Sequence, residues 1–341
     1  MSAWLTLLCI FLASLWLTGA VRRYALARSL MDVPNERSSH AVPTPRGGGV
    51  AIVLAFLLSL PLAWGVGIIG GSVVLAFMLP GIWVAAVGFI DDHRHIPARW
   101  RLLGHFLGAA WLLAFSGGLP ALSFLGAVLD LGLFGDLLAL VYLVWLLNLY
   151  NFMDGIDGIA GLEAVTVCLA GAICFVLVGQ GDLAWLPLAL GAAAAGFLVW
   201  NFPPARIFMG DAGSGFLGLM LGGLSVYAAW AAPQLLWSWL ILLGVFVVDA
   251  TWTLLHRLLR GERVYEAHRS HAYQRIARQW GGHLPVSLTV AGINLGWLMP
   301  WALLVSLEKV DGLLGLIIAY APLVLVVAYA GAGRPDNRVV S

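Results

Sequence analysis

Charge is what this sequence has least of. Only 10% of its 341 residues are Asp, Glu, Lys or Arg, against 61% hydrophobic. A soluble domain carries about 25% charged residues, so this chain cannot coat a water-facing surface, and a soluble enzyme or binding module is excluded. Lysine is nearly missing: among the 18 Lys plus Arg, Lys309 stands alone and the rest are Arg. That bias suits two-pronged recognition of phosphates, although a GC-rich genome produces the same bias. With a net charge of +1, nothing favours a nucleic-acid partner, and none is expected. Cysteine is limited to Cys9, Cys168 and Cys174, all inside apolar runs. No disulfide or zinc spacing results, and they read as small packing residues. A Walker-type phosphate loop and a Gly-x-Ser-x-Gly elbow are both missing. Phosphates, if handled here, fall to acids, a metal and arginines. No basic residue precedes the first apolar run, Ala3 to Val21, and Arg22-Arg23 follow it. A cleaved signal peptide has the reverse order, so this run reads as a retained first span.

What the sequence has instead is long apolar stretches, each near the roughly 20 residues a membrane helix needs. About eleven such spans are expected, near 2–20, 47–69, 72–90, 102–118, 134–152, 161–179, 183–200, 213–231, 235–256, 285–306 and 313–331. The expected fold class is all-α, a polytopic membrane protein of 10–11 helices forming a single domain over 1–341. If the spans alternate, every Arg-bearing connection falls on one side and Lys309 on the other. The positive-inside rule makes the Arg side cytoplasmic. That puts the N-terminus outside, in the periplasm, and the C-terminus inside.

The polar residues gather in five short segments on that same side, each touching a span end. The first runs Asp32-Val-Pro-Asn-Glu-Arg-Ser-Ser-His40, then Pro43-Thr-Pro-Arg46-Gly-Gly-Gly49. Free backbone N–H groups at a helix start beside Arg46 can receive phosphate; an ordinary basic turn would look the same. The second is Asp91-Asp92-His-Arg-His95 with Arg99 and Arg101. Adjacent carboxylates after an apolar span are costly to place and point about 100° apart on a helix. Different jobs are therefore expected of them, one as base or nucleophile and one serving a metal or holding the site; a helix cap is the plain alternative.

The third segment, Asn148-Leu-Tyr-Asn151-Phe-Met-Asp154-Gly-Ile-Asp157-Gly158, repeats polar groups every three residues. That spacing sets them on neighbouring faces of a helix end, a pattern fitting a nucleotide or metal pocket. The fourth holds Asn201, Arg206, Phe208 and Asp211, with Asp211 opening a span where the helix dipole favours an acid. Phe208 can stack on a base or pack in lipid. The fifth, Arg257 to His283, carries His268-Arg269-Ser-His271. Hard oxygen sites suit Mg²⁺ better than two histidines do, so phosphate or sugar contact is expected there. Asp249, inside the ninth span, is a functional candidate by default, or a partner for a neighbouring Arg.

These segments together resemble the polyprenyl-phosphate N-acetylhexosamine-1-phosphate transferase superfamily. The resemblance rests on Asp91-Asp92, the Asn148/Asn151/Asp154-Gly-Ile-Asp157-Gly run, Phe208-Met-Gly-Asp211-Ala-Gly-Ser and the His268–His271 loop, in the family's order. The opening Asp32–His40 and Pro43–Gly49 stretches are similar to the O-antigen initiators. The peptidoglycan enzyme, phospho-MurNAc-pentapeptide transferase, carries consecutive histidines where this loop reads His-Arg-Ser-His. The resemblance implies Mg²⁺ (Mn²⁺ as an alternative), a UDP-N-acetylhexosamine donor and undecaprenyl phosphate in the membrane lipid as acceptor, and a homodimer is compatible with it. It implies Asp91, Asp92 and Asp211 as catalytic, with Asp91 taking the lipid phosphate's proton. It implies Asp211, Asn151 and Asp92 as metal ligands. Asn151, Asp154, Asp157, Asn201 and Phe208 would face the nucleotide, and His268, Arg269 and His271 the diphosphate and sugar, with Asn148 a further substrate-binding residue. Where the family often has Lys, Arg46, Arg99 and Arg101 must substitute. A secondary transporter is the rival from another class, but it commonly has internal repeats and midplane acids, whereas most acids here lie at one face.

Overall fold

The computed structural model describes residues 3–34, 42–94, 96–262 and 268–335. Of the first predicted segment, Asn35 to His40 lie outside the described residues, as does His95 of the second.

The protein is a helical bundle. Helix α1 (Ala3–Ala27) leads through a short antiparallel pair, β1 (Met31–Asp32) and β2 (Thr44–Pro45), into α2 (Val50–Gly65), α3 (Gly71–His93) and α4 (Ala98–Ser116). A hairpin, β3 (Leu122–Phe124) and β4 (Ala127–Leu129), precedes α5 (Gly132–Met153), α6 (Ile159–Leu177), α7 (Trp185–Asn201) and α8 (Asp211–Ala231). The chain ends with α9 (Gln234–Leu242), α10 (Gly244–Leu259), α11 (Ala272–Trp280), α12 (His283–Ile293), a π-helical turn (Asn294–Leu298), α13 (Met299–Ser306) and α14 (Gly312–Tyr329).

Among the described residues, eight helices are long and apolar enough to cross a membrane, and nine if the pair α9–α10 counts as one span broken by a 70° bend. The expected all-α, multi-pass architecture is therefore present. Each of the eleven expected spans corresponds to a helix or helix pair, but two fall short as independent spans. Helix α2 has only 16 residues, and α4, which carries Arg99, Arg101 and His105, is not among the eight. A continuous apolar run conceals the 70° break at Leu243.

Helix α8 is the axis of the bundle, 94% buried, whereas α1, α12–α13 and α14 are only 28% buried and turn apolar faces outward. Helices α3 and α5 flank α8. Glycines allow the closest approaches. A Cβ on Gly49 would lie 2.4 Å from the Gly213 Cα, and one on Gly88 2.5 Å from the Asp211 carbonyl. With no side chains between them, α2 and α3 press directly on the first turn of α8, in the small-residue packing typical of membrane helices. That contact brings the Arg46 and Asp91-Asp92 segments to Asp211.

Candidate active site

The site is built around the first turn of α8. Asp92, at the end of α3, accepts hydrogen bonds from the backbone N–H groups of Asp211 (3.1 Å) and Ala212 (3.2 Å). It thus satisfies helix-start donors that would otherwise be orphaned. Arg46 donates to the Asp92 carbonyl from the other side. Asp91 points elsewhere, as expected for a neighbour on a helix: it accepts from the Ile96 N–H at 2.8 Å and from Arg101 at 2.6 Å. Arg101 also approaches Asp211, at 3.7 Å. Asn151 donates to Asp211 (2.9 Å) and to Ser214 (2.9 Å), tying the end of α5 to α8.

The loop after α5 supplies the other wall. Asp157 accepts from the Ala205 N–H at 3.0 Å and lies 3.2 Å from His283. Asn201 is buried, accepting from the Gly158 N–H and donating to the Ile207 carbonyl, both at 3.0 Å. Asp154 differs from all of these: its carboxylate accepts no hydrogen bond among the described residues. Burial, then the charges of Asp211, Asp92 and Asp157, raise its carboxyl well above the usual carboxylate range.

Two adjoining cavities result. The first, about 250 Å³, is lined by Asp32, Arg46, Asp92, Asn151, Asp154, Asp157, Asn201, Phe208, Asp211, Gln274 and His283 among others. The second, about 440 Å³ and more apolar, shares Asp157, Phe208 and His283 with it and adds Pro203, Pro204, Leu284 and Pro285. A charged end and an apolar end joined at an aromatic ring suit a ligand with an anionic part and a planar part. A third recess of about 10 Å³, between Arg101, His105, Asn148, Asn151 and Asp211, is room for about one water.

Several expected residues sit off the main walls. Arg99 is exposed and stacks on Trp100. Asn148 lines only the small recess and donates to the Val144 carbonyl at 2.7 Å. Asp249 is fully engaged, accepting from the backbone N–H groups of Ala272 and Tyr273 (2.9 Å each) and from Thr253 (3.1 Å), with His271 at 3.4 Å. It therefore caps α11 and lines none of the three cavities above. His271 is buried as the N-cap of α11 and exchanges capping bonds with Gln274. His268 stacks on His271, and the Arg269 carbonyl accepts from Arg278. Burial, then His271 and Arg257, lower His268 to about 3. This loop positions α11, whose Gln274 reaches the cavity. The glycine run also differs from expectation: the Gly48 and Gly49 N–H groups donate to the Phe208 and Met209 carbonyls at 2.9 Å. They are therefore not free to hold phosphate.

Sequence alone does not single out His283 or Gln274. His283 follows Gly281-Gly282 at a span entrance, and Gln274 stands three residues after His271, the spacing of a reciprocal helix cap. Both signals are present but common.

Residues 74–229, α3 to α8, match the sequence profile of glycosyl transferase family 4. The chain is 31% identical to a decaprenyl-phosphate N-acetylglucosaminephosphotransferase of Mycobacterium tuberculosis (strain CDC 1551 / Oshkosh), over 80% of this chain and 75% of that protein. The chain belongs to glycosyl transferase family 4. It is 29% identical to a probable undecaprenyl-phosphate N-acetylglucosaminyl 1-phosphate transferase of Bacillus subtilis (strain 168), over 78% and 74% of the two chains. It is 30% identical to a phospho-N-acetylmuramoyl-pentapeptide-transferase of Symbiobacterium thermophilum, over 82% and 89%. As a family 4 member it is a sugar-phosphate transferase of the polyprenyl-phosphate hexosamine-1-phosphate transferase superfamily. The transporter reading falls away. For this transferase, the matched span contains Asp91, Asp92, Asn151, Asp154, Asp157, Asn201, Phe208 and Asp211. The histidine loop and His283 lie beyond it.

Proposed function

We propose that this protein transfers N-acetylhexosamine-1-phosphate, as GlcNAc or a 6-deoxy amino sugar, from a UDP-sugar to undecaprenyl phosphate. UMP leaves, and the product starts O-antigen or a related surface polysaccharide. The observation that carries this reading is the joined cavity. Asp92, Asp154 and Asp211 crowd its charged end, while Phe208 separates that end from an apolar recess. In this reading Phe208, which lines both cavities, stacks on the uracil, and Asp157 with His283 closes the wall between the two compartments. Arg46 and Arg101 offset the charge of two anionic substrates. A lipid-phosphate oxygen attacks the sugar-bearing phosphorus, the phosphoanhydride bond breaks, and UMP keeps the bridging oxygen. Asp91, held by Arg101 and the Ile96 N–H, is the candidate base.

Mg²⁺ is the fitting cation because the donors are hard oxygens and Asp154 stands among acids that repel it. Asp211 and Asp154 would hold it, with the Asn151 oxygen; Asp92 is the weaker ligand, since both its oxygens take backbone N–H groups. No ready cluster of three or more His, Cys, Asp or Glu for a metal occurs among the described residues, so the substrate phosphates would complete the shell. A bound cation would supply charge stabilisation to the phosphates. The expected location is the bacterial inner membrane, with this site and the C-terminus cytoplasmic and the N-terminus periplasmic, from the arginine distribution.

The test is UMP release in membranes supplied with undecaprenyl phosphate, Mg²⁺ and a panel of UDP-sugars that includes UDP-MurNAc-pentapeptide. Release with a UDP-N-acetylhexosamine, abolished by EDTA, is expected. Turnover with the pentapeptide donor alone would assign the peptidoglycan reaction instead.

A further inference from the structure

One fully buried acid among the described residues lies outside everything above. Glu163, one turn into α6, has 0% exposure in an apolar part of the bundle. Its Oε2 accepts from the Asn294 side chain at 2.6 Å, and the same Asn294 nitrogen reaches the Thr166 hydroxyl at 2.8 Å. Glu163 Oε1 and Asn294 Oδ1 have no partner among the described residues. A fully buried acid within a membrane bundle is expensive and calls for a function.

Its place in the fold suggests which. Asn294 begins the π-helical turn that interrupts α12 and α13. Along α12, His283, Ser287, Val290 and Asn294 share one face by helical spacing. That face meets α6 and the loop before it. His283 lies 3.2 Å from Asp157 on the cavity wall, and Ser287 donates to the Asp157 carbonyl at 2.8 Å. Asn294 makes the last contact, to Glu163. The opposite face, with Leu284 and Leu288, is exposed. Helices α12 and α13 are only 28% buried, so apolar packing holds them weakly, and in lipid it is the polar contacts that fasten one helix to another. π-turns recur where a helix must present groups to a site.

We propose that Glu163 and Asn294 form an intramembrane latch that holds α12 in register with α6 and so positions His283 against Asp157. They are positioning residues, remote from the reacting atoms. The effect on catalysis rests on the reading of the cavity as the UDP-sugar site; the effect on helix placement does not.

Two measurements on the full-length protein in nanodiscs test it. In the UMP-release assay, E163L raises KM for the UDP-sugar about tenfold, the scale of one strong interhelical hydrogen bond, with kcat changed less than about threefold. E163Q, which still accepts from Asn294, stays near wild type. N294L behaves like E163L, and the double variant is no worse than either alone. Independently, spin labels on exposed Leu169 of α6 and Leu288 of α12, with the exposed Cys9 changed to Ser, report the helix separation. Their distance distribution broadens in E163L and N294L and not in E163Q. An unchanged distribution in E163L overturns the latch. So does a wild-type KM in E163L while wild-type protein releases UMP. If wild-type protein releases no UMP from any UDP-sugar yet the distribution broadens in E163L, the donor assignment fails and the latch stands. Should E163L not accumulate, N294L carries both measurements.

Discussion

Asp154, just past the end of α5, and Asp249, inside α10, are both acids near the cytoplasmic face expected of this chain, and the structure treats them in opposite ways. Asp249 accepts from two backbone N–H groups and a hydroxyl and lies beside His271. Asp154 accepts from nothing among the described residues and faces three other carboxylates. Asp249, with every partner supplied, holds the scaffold; Asp154, denied partners within the protein, is poised for something brought from outside. The two look alike as isolated letters in an apolar sequence.

The contrast can be broken most sharply at Asp211, which shares the crowded end with Asp154. D211N lowers kcat for UMP release by at least about 100-fold, and extra Mg²⁺ does not restore it. Wild-type turnover in that variant would remove the whole carboxylate cluster from the chemistry.

D154N and D249N should then part company. D154N loses about 100-fold in activity yet raises the melting temperature of EDTA-treated protein, because an acid crowded by three other carboxylates gives way to a neutral amide. D249N does the reverse. Its amide meets two N–H donors with one oxygen, costing about 1–3 kcal/mol and several degrees in melting temperature. Its activity suffers less. Differential scanning fluorimetry beside the UMP assay reads both, and equal behaviour of the two variants would erase the distinction.

Gly49→Ala tests whether the frame beneath the site is rigid. Its Cβ would meet Gly213 at 2.4 Å, so overpacking of about 1–3 kcal/mol is expected. The smallest effect is at His268. Its folded value of about 3 lies below the ordinary 6.5. The neutral ring therefore contributes stability that is present above about pH 6.5 and lost as pH falls toward 3. H268Q should flatten that acid-side loss in melting temperature while leaving the acid limb of activity near neutrality unchanged. A shifted activity limb would return the ring to the chemistry.

Much of the molecule is legible in the sequence, because lipid enforces long apolar helices and makes polar residues conspicuous. Asp92, Asn151, Asp154, Asp157, Asn201, Phe208 and Asp211 stand out for that reason, and the structure brings them together. What the sequence hides is direction. Nothing in Gly47-Gly48-Gly49 says that two of its N–H groups face the Phe208-Met209 loop segment and not a ligand. Asp249 and His271 have the letters of a binding site and the contacts of a helix cap. The bend after α9 is hidden by an unbroken apolar run, and Glu163 finds its partner 131 residues away.

The glycine seam between Gly49 and Gly213 leaves no slack for adjusting the acids one at a time. The outer recess, by contrast, is lined by Pro203 and Pro204 of the loop after α7 and by Leu284 and Pro285 of the first turn of α12. Inherited variation can therefore accumulate in the rim while the foundation stays fixed. A lineage could exchange one ligand preference for another there without disturbing the chemistry beneath.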